Sequence, residues 1–217
     1  MQYFSPETID FLWGIRFNNE RNWFEAHKEQ YKRTLYEPMK ALGTALFAPF
    51  AKSPELILKV SRIYRDARLH HPLPYKESLW LCIRKEADWW SEQPSLFFEL
   101  TPERYSYGFL LWGPKPNTME RFRTEIAAKP DWFLSLAEQI ERQDGITIGG
   151  MTYKRPKPCP DVRIERFFRL KNITAYRECP IDEVLFSDAL EARVADLFSG
   201  LRPLWDFLLS CTEQQER

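Results

Sequence analysis

Apolar positions recur at steps of three and four along the first fifty residues. Ser5-Pro6-Glu7 opens a short helix carrying Ile9, Leu12 and Trp13 to about Arg16: a small hydroxyl can accept from a free N–H, proline fits the first turn, and a carboxylate faces the positive end of the dipole. Asn18-Asn19 breaks it. From Asn22 the stripe Trp23, His27, Tyr31, Leu35, Met39, Leu42, Leu46, Phe50 predicts a longer helix, with a kink or break at Pro38. The period then changes to two. Leu56 to Arg65, Ser78 to Lys85, Ser95 to Leu100 and Arg104 to Trp112 alternate as strands, and Thr101-Pro102-Glu103 suits a hairpin. A loop around Trp89-Trp90 separates the second strand from the third. Gly113-Pro114 ends the run of strands. Two helices follow, the first with Met119, Phe122 and Ile126 inward, the second with Phe133, Leu136 and Ile140, ending at Asp144-Gly145. Ile146 to Tyr153 reads as a strand or hairpin around Gly149-Gly150. The prolines at 156, 158 and 160 read as a loop, Asp161 to Lys171 as helix and Ile173 to Glu178 as strand. Ser187-Asp188 starts a last helix, which Pro203 is expected to interrupt before Trp205 to Leu209.

Strands grouped by hairpins, not alternating with helices, indicate α+β: an antiparallel meander packed against N-terminal, middle and C-terminal helices. No repeat or clear linker divides the 217 residues, so one α+β domain over 1–217 is expected. The 44% hydrophobic and 29% charged content is that of a globular chain, and 15% aromatic is a surplus of the kind that lines pockets or interfaces. The longest apolar run, Ala41 to Ala51, is too short to span a bilayer, and Met1 to Asp10 does not read as a signal peptide. Together these point to a soluble, cytoplasmic chain with no membrane association. The four cysteines, Cys82, Cys159, Cys179 and Cys211, form no C-x-x-C pair, which argues against a disulfide framework or a zinc knuckle.

Charge changes the picture locally, not globally. Lys+Arg and Asp+Glu both number 31, so nothing in the total favours a nucleic-acid partner. Two segments are nevertheless basic: 59–76 carries Lys59, Arg62, Arg65, Arg68 and Lys76 against Asp66, and 154–171 carries Lys154, Arg155, Lys157, Arg163, Arg166, Arg169 and Lys171 against Asp161 and Glu165. Solvated helix faces or a basic groove would both produce this pattern.

The familiar nucleotide loops, the hydrolase elbow and the H-E-x-x-H metal motif are absent, and neither a metal nor a cofactor is signalled. His27 lies on an apolar helix face, and the adjacent His70 and His71 point apart in an extended chain. The unusual segment is Arg62-Ile63-Tyr64-Arg65-Asp66-Ala67-Arg68, where the face that begins with Leu58 and Val60 turns ionic. Such a face either reaches solvent or builds a paired network. Arg62, Arg65, Asp66, Arg68, Tyr75 and Lys76 are the candidate ligand-binding residues, for a small anion such as a phosphate or carboxylate. An ion-pair network that fixes the strand to a neighbouring helix is the structural alternative. Two other functions stand beside it: a protein-interaction module using Trp89, Trp90 and the aromatic surplus, and nucleic-acid binding through the two basic segments. No residue is marked as catalytic.

These same residues resemble a bacterial and fungal family of conserved hypothetical proteins, the domain of unknown function 2461. Phe11-Leu12, Asn18-Asn19 and Trp23-Phe24, with Tyr31 and Pro38 downstream, match its opening. Its central motif reads roughly R-I-x-R-D-x-R-F-S-x-D-K-x-P-Y-K. Here Arg62 to Arg68 and Pro74-Tyr75-Lys76 match, whereas Leu69, His70 and Pro72-Leu73 depart from it. Gly108 to Trp112, Arg121, Arg123, Gly145, Lys154-Arg155 and Arg169-Leu170-Lys171 continue the likeness in order. The resemblance implies an α+β fold with an antiparallel sheet flanked by helices, and carries over no activity.

Overall fold

The computed structural model describes residues 1–66, 72–143, 145–155 and 157–213. Arg68, Leu69, His70, His71, Asp144 and Pro156 lie outside the described residues. The elements run α1 (Pro6–Phe17), α2 (Arg21–Ala26), α3 (Lys28–Tyr31), α4 (Glu37–Phe47), β1 (Leu56–Val60), β2 (Leu79–Lys85), β3 (Ser95–Leu100), β4 (Arg104–Leu111), α5 (Pro116–Ala128), α6 (Pro130–Glu141), α7 (Glu165–Phe168), β5 (Ile173–Pro180) and α8 (Ala189–Glu213). The five strands pair in chain order as an antiparallel meander, and the fold is α+β. The chain resolves into two compact units. One comprises Met1–Ile83, Phe97–Tyr107 and Glu178–Asp196; the other comprises Arg84–Leu96, Gly108–Arg177 and Leu197–Arg217.

In the first unit the Trp23-to-Phe50 stripe is delivered by a series of short helical pieces, not one helix. The chain breaks at His27, whose ring stacks on Trp23 at 4.1 Å and whose Nδ1 lies 2.8 Å from the Trp23 carbonyl. It then widens into a π-type turn at Lys32–Tyr36, which places Pro38 in the first turn of α4, where a missing N–H costs nothing. Tyr31, Leu35, Met39, Leu42 and Leu46 are buried as the spacing predicts. Gly43 lets α4 close on the sheet: a Cβ there would sit 3.1 Å from Leu58 and 3.3 Å from Leu81. Phe11, Leu12 and Ile15 of α1 are also buried, and Phe4 stacks on Phe98 at 5.9 Å.

In the second unit Phe133 meets Phe122 and Phe167 edge-on, at 5.6 and 4.8 Å. The buried Arg123 donates to the carbonyls of Phe168 (3.0 Å), Met119 (3.1 Å) and Leu170 (2.8 Å), so its charge ties α5 to the segment around α7. Residues 146–153 do not form a hairpin of their own. They bridge to the β5 region at Gly149–Thr174 and Thr152–Leu170. Gly108 of β4 has φ +148, and a Cβ there would lie 2.5 Å from the Ala175 carbonyl oxygen, so only glycine fits.

Two expectations are corrected. Residues 161–171 are only partly helical, in a single turn at Val162–Ile164 followed by α7. Pro203 does not interrupt the last helix, which continues to Glu213. Proline leaves the carbonyl one turn earlier, on Ser199, without its helix donor. Ser199 is exposed, so water can serve that carbonyl. Leu201, Leu204, Trp205 and Leu208 stay buried on either side of the proline, and the Trp205 indole donates to the Pro94 carbonyl at 3.1 Å.

Candidate functional site

Beyond β1 the chain runs on as the first arm of an antiparallel ribbon. The Ser61 N–H donates to the Trp80 carbonyl (2.8 Å), while the Trp80 N–H donates to the Ser61 hydroxyl (3.1 Å) in place of a backbone carbonyl. The alternation slips at this point. Ser61 and Ile63 are buried, and Arg62, Tyr64 and Asp66 face outward. The face that begins with Leu58 therefore does not become the ionic one, because the phase changes before Arg62. Arg65 N–H donates to Pro74 (2.8 Å), Lys76 N–H donates to Ile63 (2.7 Å), and Tyr64 pairs with Tyr75. By alternation across the ribbon, Arg65 and Lys76 share one face.

An open cleft of about 910 Å³ lies beside this ribbon, within the first unit. Arg65, Asp66 and Lys76, all picked out from the sequence, line it with Tyr64, Glu77 and Ser78. Arg16, at the end of α1, and Thr101, Glu103 and Arg104, in the β3–β4 hairpin, complete the wall. The remaining candidates lie elsewhere. Tyr75 is buried, stacked on Phe24 at 4.2 Å, and its backbone N–H and carbonyl both bond the Asn19 side-chain amide at 3.0 Å. Asn19 thus fixes the ribbon's second arm. Arg62 lines a different groove, described below, and Arg68 is outside the described residues.

The cleft's charges are largely organised by Arg16. Its Nε donates to Glu77 at 2.6 Å, and its terminal nitrogens grip Glu103. The pair holds the Glu103 carboxyl below the usual carboxylate range and raises the guanidinium. The second Glu77 oxygen is 3.8 Å from Arg65, close enough for attraction but too long for a hydrogen bond. Arg104 turns to Glu178 at 2.9 Å, and Ser78 donates to Glu99 at 2.9 Å.

Lys76 differs. Among the described residues no carboxylate pairs with its ammonium, which lies 5.7 Å from the centre of the Trp80 ring. Burial pushes its proton affinity below that of a free lysine, and the neighbouring Arg65 pushes it in the same direction; Glu99 offsets part of this. Arg65 and Lys76 are thus two adjacent cations in a cleft: Arg65 faces Glu77, which Arg16 already holds, and Lys76 is only partly offset by Glu99.

Sequence reasoning missed Arg16, Glu77, Glu103, Arg104 and Asn19. Only Glu77 had a local signal, since it directly follows Lys76; Arg16 and Glu103 meet across 87 positions. The second basic segment lies in the other unit, where Lys157 pairs with Glu120, Arg163 with Asp131 and Asp161, and Arg166 with Glu141. Trp89 and Trp90 are exposed, at 71% and 46%. Among the described residues no group of three His, Cys, Asp or Glu is placed to hold a metal, and no helix is long and apolar enough to cross a membrane.

Comparison with curated proteins returned no match. A family model matches residues 7–207, a span that takes in nearly all of α1, the ribbon and every strand. The chain belongs to that family, the conserved hypothetical proteins designated DUF2461.

Proposed function

We propose that the ribbon cleft binds a small anion, a phosphate or carboxylate, between Lys76 and Arg65. The observation that carries this reading is the half-buried Lys76 ammonium, which has no carboxylate partner among the described residues and stands beside a second cation. A buried charge without a partner is costly, and an anion here relieves it. Arg16 pairs with Glu77 and Glu103, and the 3.8 Å from Arg65 to Glu77 is too long for a hydrogen bond, so the Arg65 guanidinium can donate a planar pair of N–H groups to an anion. Asp66 and Tyr64 form the outer wall. A thermal-shift screen against phosphate, phosphorylated metabolites, carboxylates and nucleotides tests the reading. Anions raise the melting temperature of the native protein and leave that of Arg65→Ala unmoved. A folded Arg65→Ala that responds like the native protein contradicts it.

A second reading, an interaction surface, rests on Trp89, Trp90 and Trp112, all exposed. The Gly113 N–H bonds the Ser91 carbonyl at 2.8 Å and Lys115 pairs with Glu92 at 3.2 Å, so the turn after β2 and the end of β4, which carry these residues, are joined. Large exposed aromatics on joined segments are the kind of feature that marks a partner site. Light scattering of native protein and Trp89→Ser decides it: association that the substitution abolishes supports the surface, and a monomer at all concentrations removes self-association.

A further inference from the structure

Tyr64 lines not one hollow but two. On one side is the ionic cleft; on the other is a groove of about 270 Å³ formed by Phe24, Tyr31, Tyr36, Arg62, Ile63 and Tyr64, again within the first unit. The groove's walls are rings. Tyr36 and Tyr31 are centred 5.7 Å apart, Tyr31 and Phe24 5.5 Å, and Phe24 meets Tyr64 edge-on at 5.6 Å. Tyr31 precedes the π-type turn at Lys32–Tyr36 and Tyr36 ends it, and a local widening of this kind often accompanies a functional site. The rim carries Lys28, Lys32, Arg62 and one carboxylate, Glu37, which pairs with Lys40 at 3.1 Å. Lys28 and Lys32 are answered by Glu25 and Glu29, whereas Arg62 is exposed and has no carboxylate partner among the described residues.

We infer that the cleft's ligand carries a planar ring as well as an anionic group, as a nucleoside monophosphate does, with the ring against Tyr64 and the aromatic groove and the phosphate at Lys76 and Arg65. The inference rests on the anion reading of the cleft and adds the chemistry of the rest of the ligand. Three features select the class. The groove is small for a whole drug-sized ligand but adequate for one ring system. Its aromatic walls favour a flat partner whatever the pattern of substituents on its edge. Tyr64 lines both hollows, so a ring held against it places the phosphate in the cleft that Lys76 and Arg65 line.

Calorimetric titrations with inorganic phosphate, adenosine 5′-monophosphate and guanosine 5′-monophosphate test this on native protein, Tyr64→Ala and Tyr36→Ala. Native protein binds the nucleotides about 10-fold to 100-fold more tightly than phosphate, the gain expected of one stacked base. Tyr64→Ala removes the nucleotides' gain over phosphate, so that the two bind that variant with equal affinity. Tyr36→Ala, on the far wall, acts in the same direction and covers the case in which Tyr64→Ala fails to fold. Phosphate binding with no nucleotide gain overturns the ring placement and leaves the anion cleft standing. A nucleotide gain that survives both substitutions overturns it as well, and binding of neither phosphate nor nucleotide overturns both readings.

Discussion

Replacing Lys76 with methionine separates an anion site from a structural ion network. Methionine keeps an unbranched stem beside Trp80 and removes only the ammonium. A hydrogen bond to a charged group is worth about 1.5–3 kcal/mol, so losing it weakens phosphate binding by roughly 10-fold to 150-fold. Phosphate at about 100 times the native dissociation constant stabilises the native protein by about 2.7 kcal/mol. For a chain of this size that is a rise of roughly 5–10 °C in melting temperature. At the same concentration, a variant weakened 100-fold gains only about 0.4 kcal/mol, a rise of roughly 1 °C. Without phosphate, Lys76→Met melts no lower than the native protein, because burial already disfavours the charged lysine. Differential scanning fluorimetry over a phosphate series reads both numbers. An undiminished phosphate increment in Lys76→Met refutes the reasoning, and so does a loss of several degrees without phosphate, which would show the ammonium to be a structural anchor.

Binding of sulfate, whose own charge is constant across neutral and alkaline pH, reports the Lys76 proton. Burial and the neighbouring Arg65 hold its pKa in the free protein below that of a free lysine, and a bound anion raises it. Affinity is therefore flat at low pH and falls as pH rises through the free-protein pKa, with proton uptake on binding that calorimetry in buffers of different ionisation enthalpy detects; a profile still flat at the ordinary lysine value of about 10.4 contradicts this. In the ligand-free protein the same lowered pKa means that the unfolded chain binds the extra proton. Native protein therefore gains stability relative to Lys76→Met as pH climbs through that window, and parallel urea melts test the sign. Gly108→Ala prevents stable folding, since the new methyl group would meet the backbone of the paired strand at 2.5 Å; a circular-dichroism melt within about 2 °C of native refutes that reading.

The parts of the fold visible in the sequence are those that a local period encodes. Met119, Phe122 and Ile126, like Phe133, Leu136 and Ile140, occupy one helical face whatever surrounds them, and all are buried. The hairpin at Thr101-Pro102-Glu103 follows equally from its flanking alternation, with the Thr101 N–H donating to the Arg104 carbonyl at 2.9 Å. Interruptions were less legible. The π-type turn before Pro38 preserves the spacing of the stripe while breaking the helix, and an uninterrupted apolar stripe does not disclose it. The unbroken α8 shows the opposite case, where burial on both sides of Pro203 outweighs a local breaker. At the site, the segment Arg62–Asp66 and Lys76 stood out because charge replaces an expected apolar face. The single hydroxyl of Ser61 then decides which charges share a face, by taking a ladder bond and shifting the phase. Arg16, Glu103 and Asn19 reach the ribbon only through tertiary structure, and no pattern within the segment announces them.

The central claim is that Lys76 and Arg65 together hold an anion, and anomalous diffraction from crystals grown with selenate tests it most directly. Selenate mimics the tetrahedral dianion and carries a scatterer that locates it without reference to the protein. The account predicts a selenium peak in the ribbon cleft, within hydrogen-bond reach of Lys76 Nζ and the Arg65 guanidinium, and its loss in Lys76→Met. Selenate sites elsewhere with this cleft unoccupied, or an undiminished peak in the variant, would contradict it.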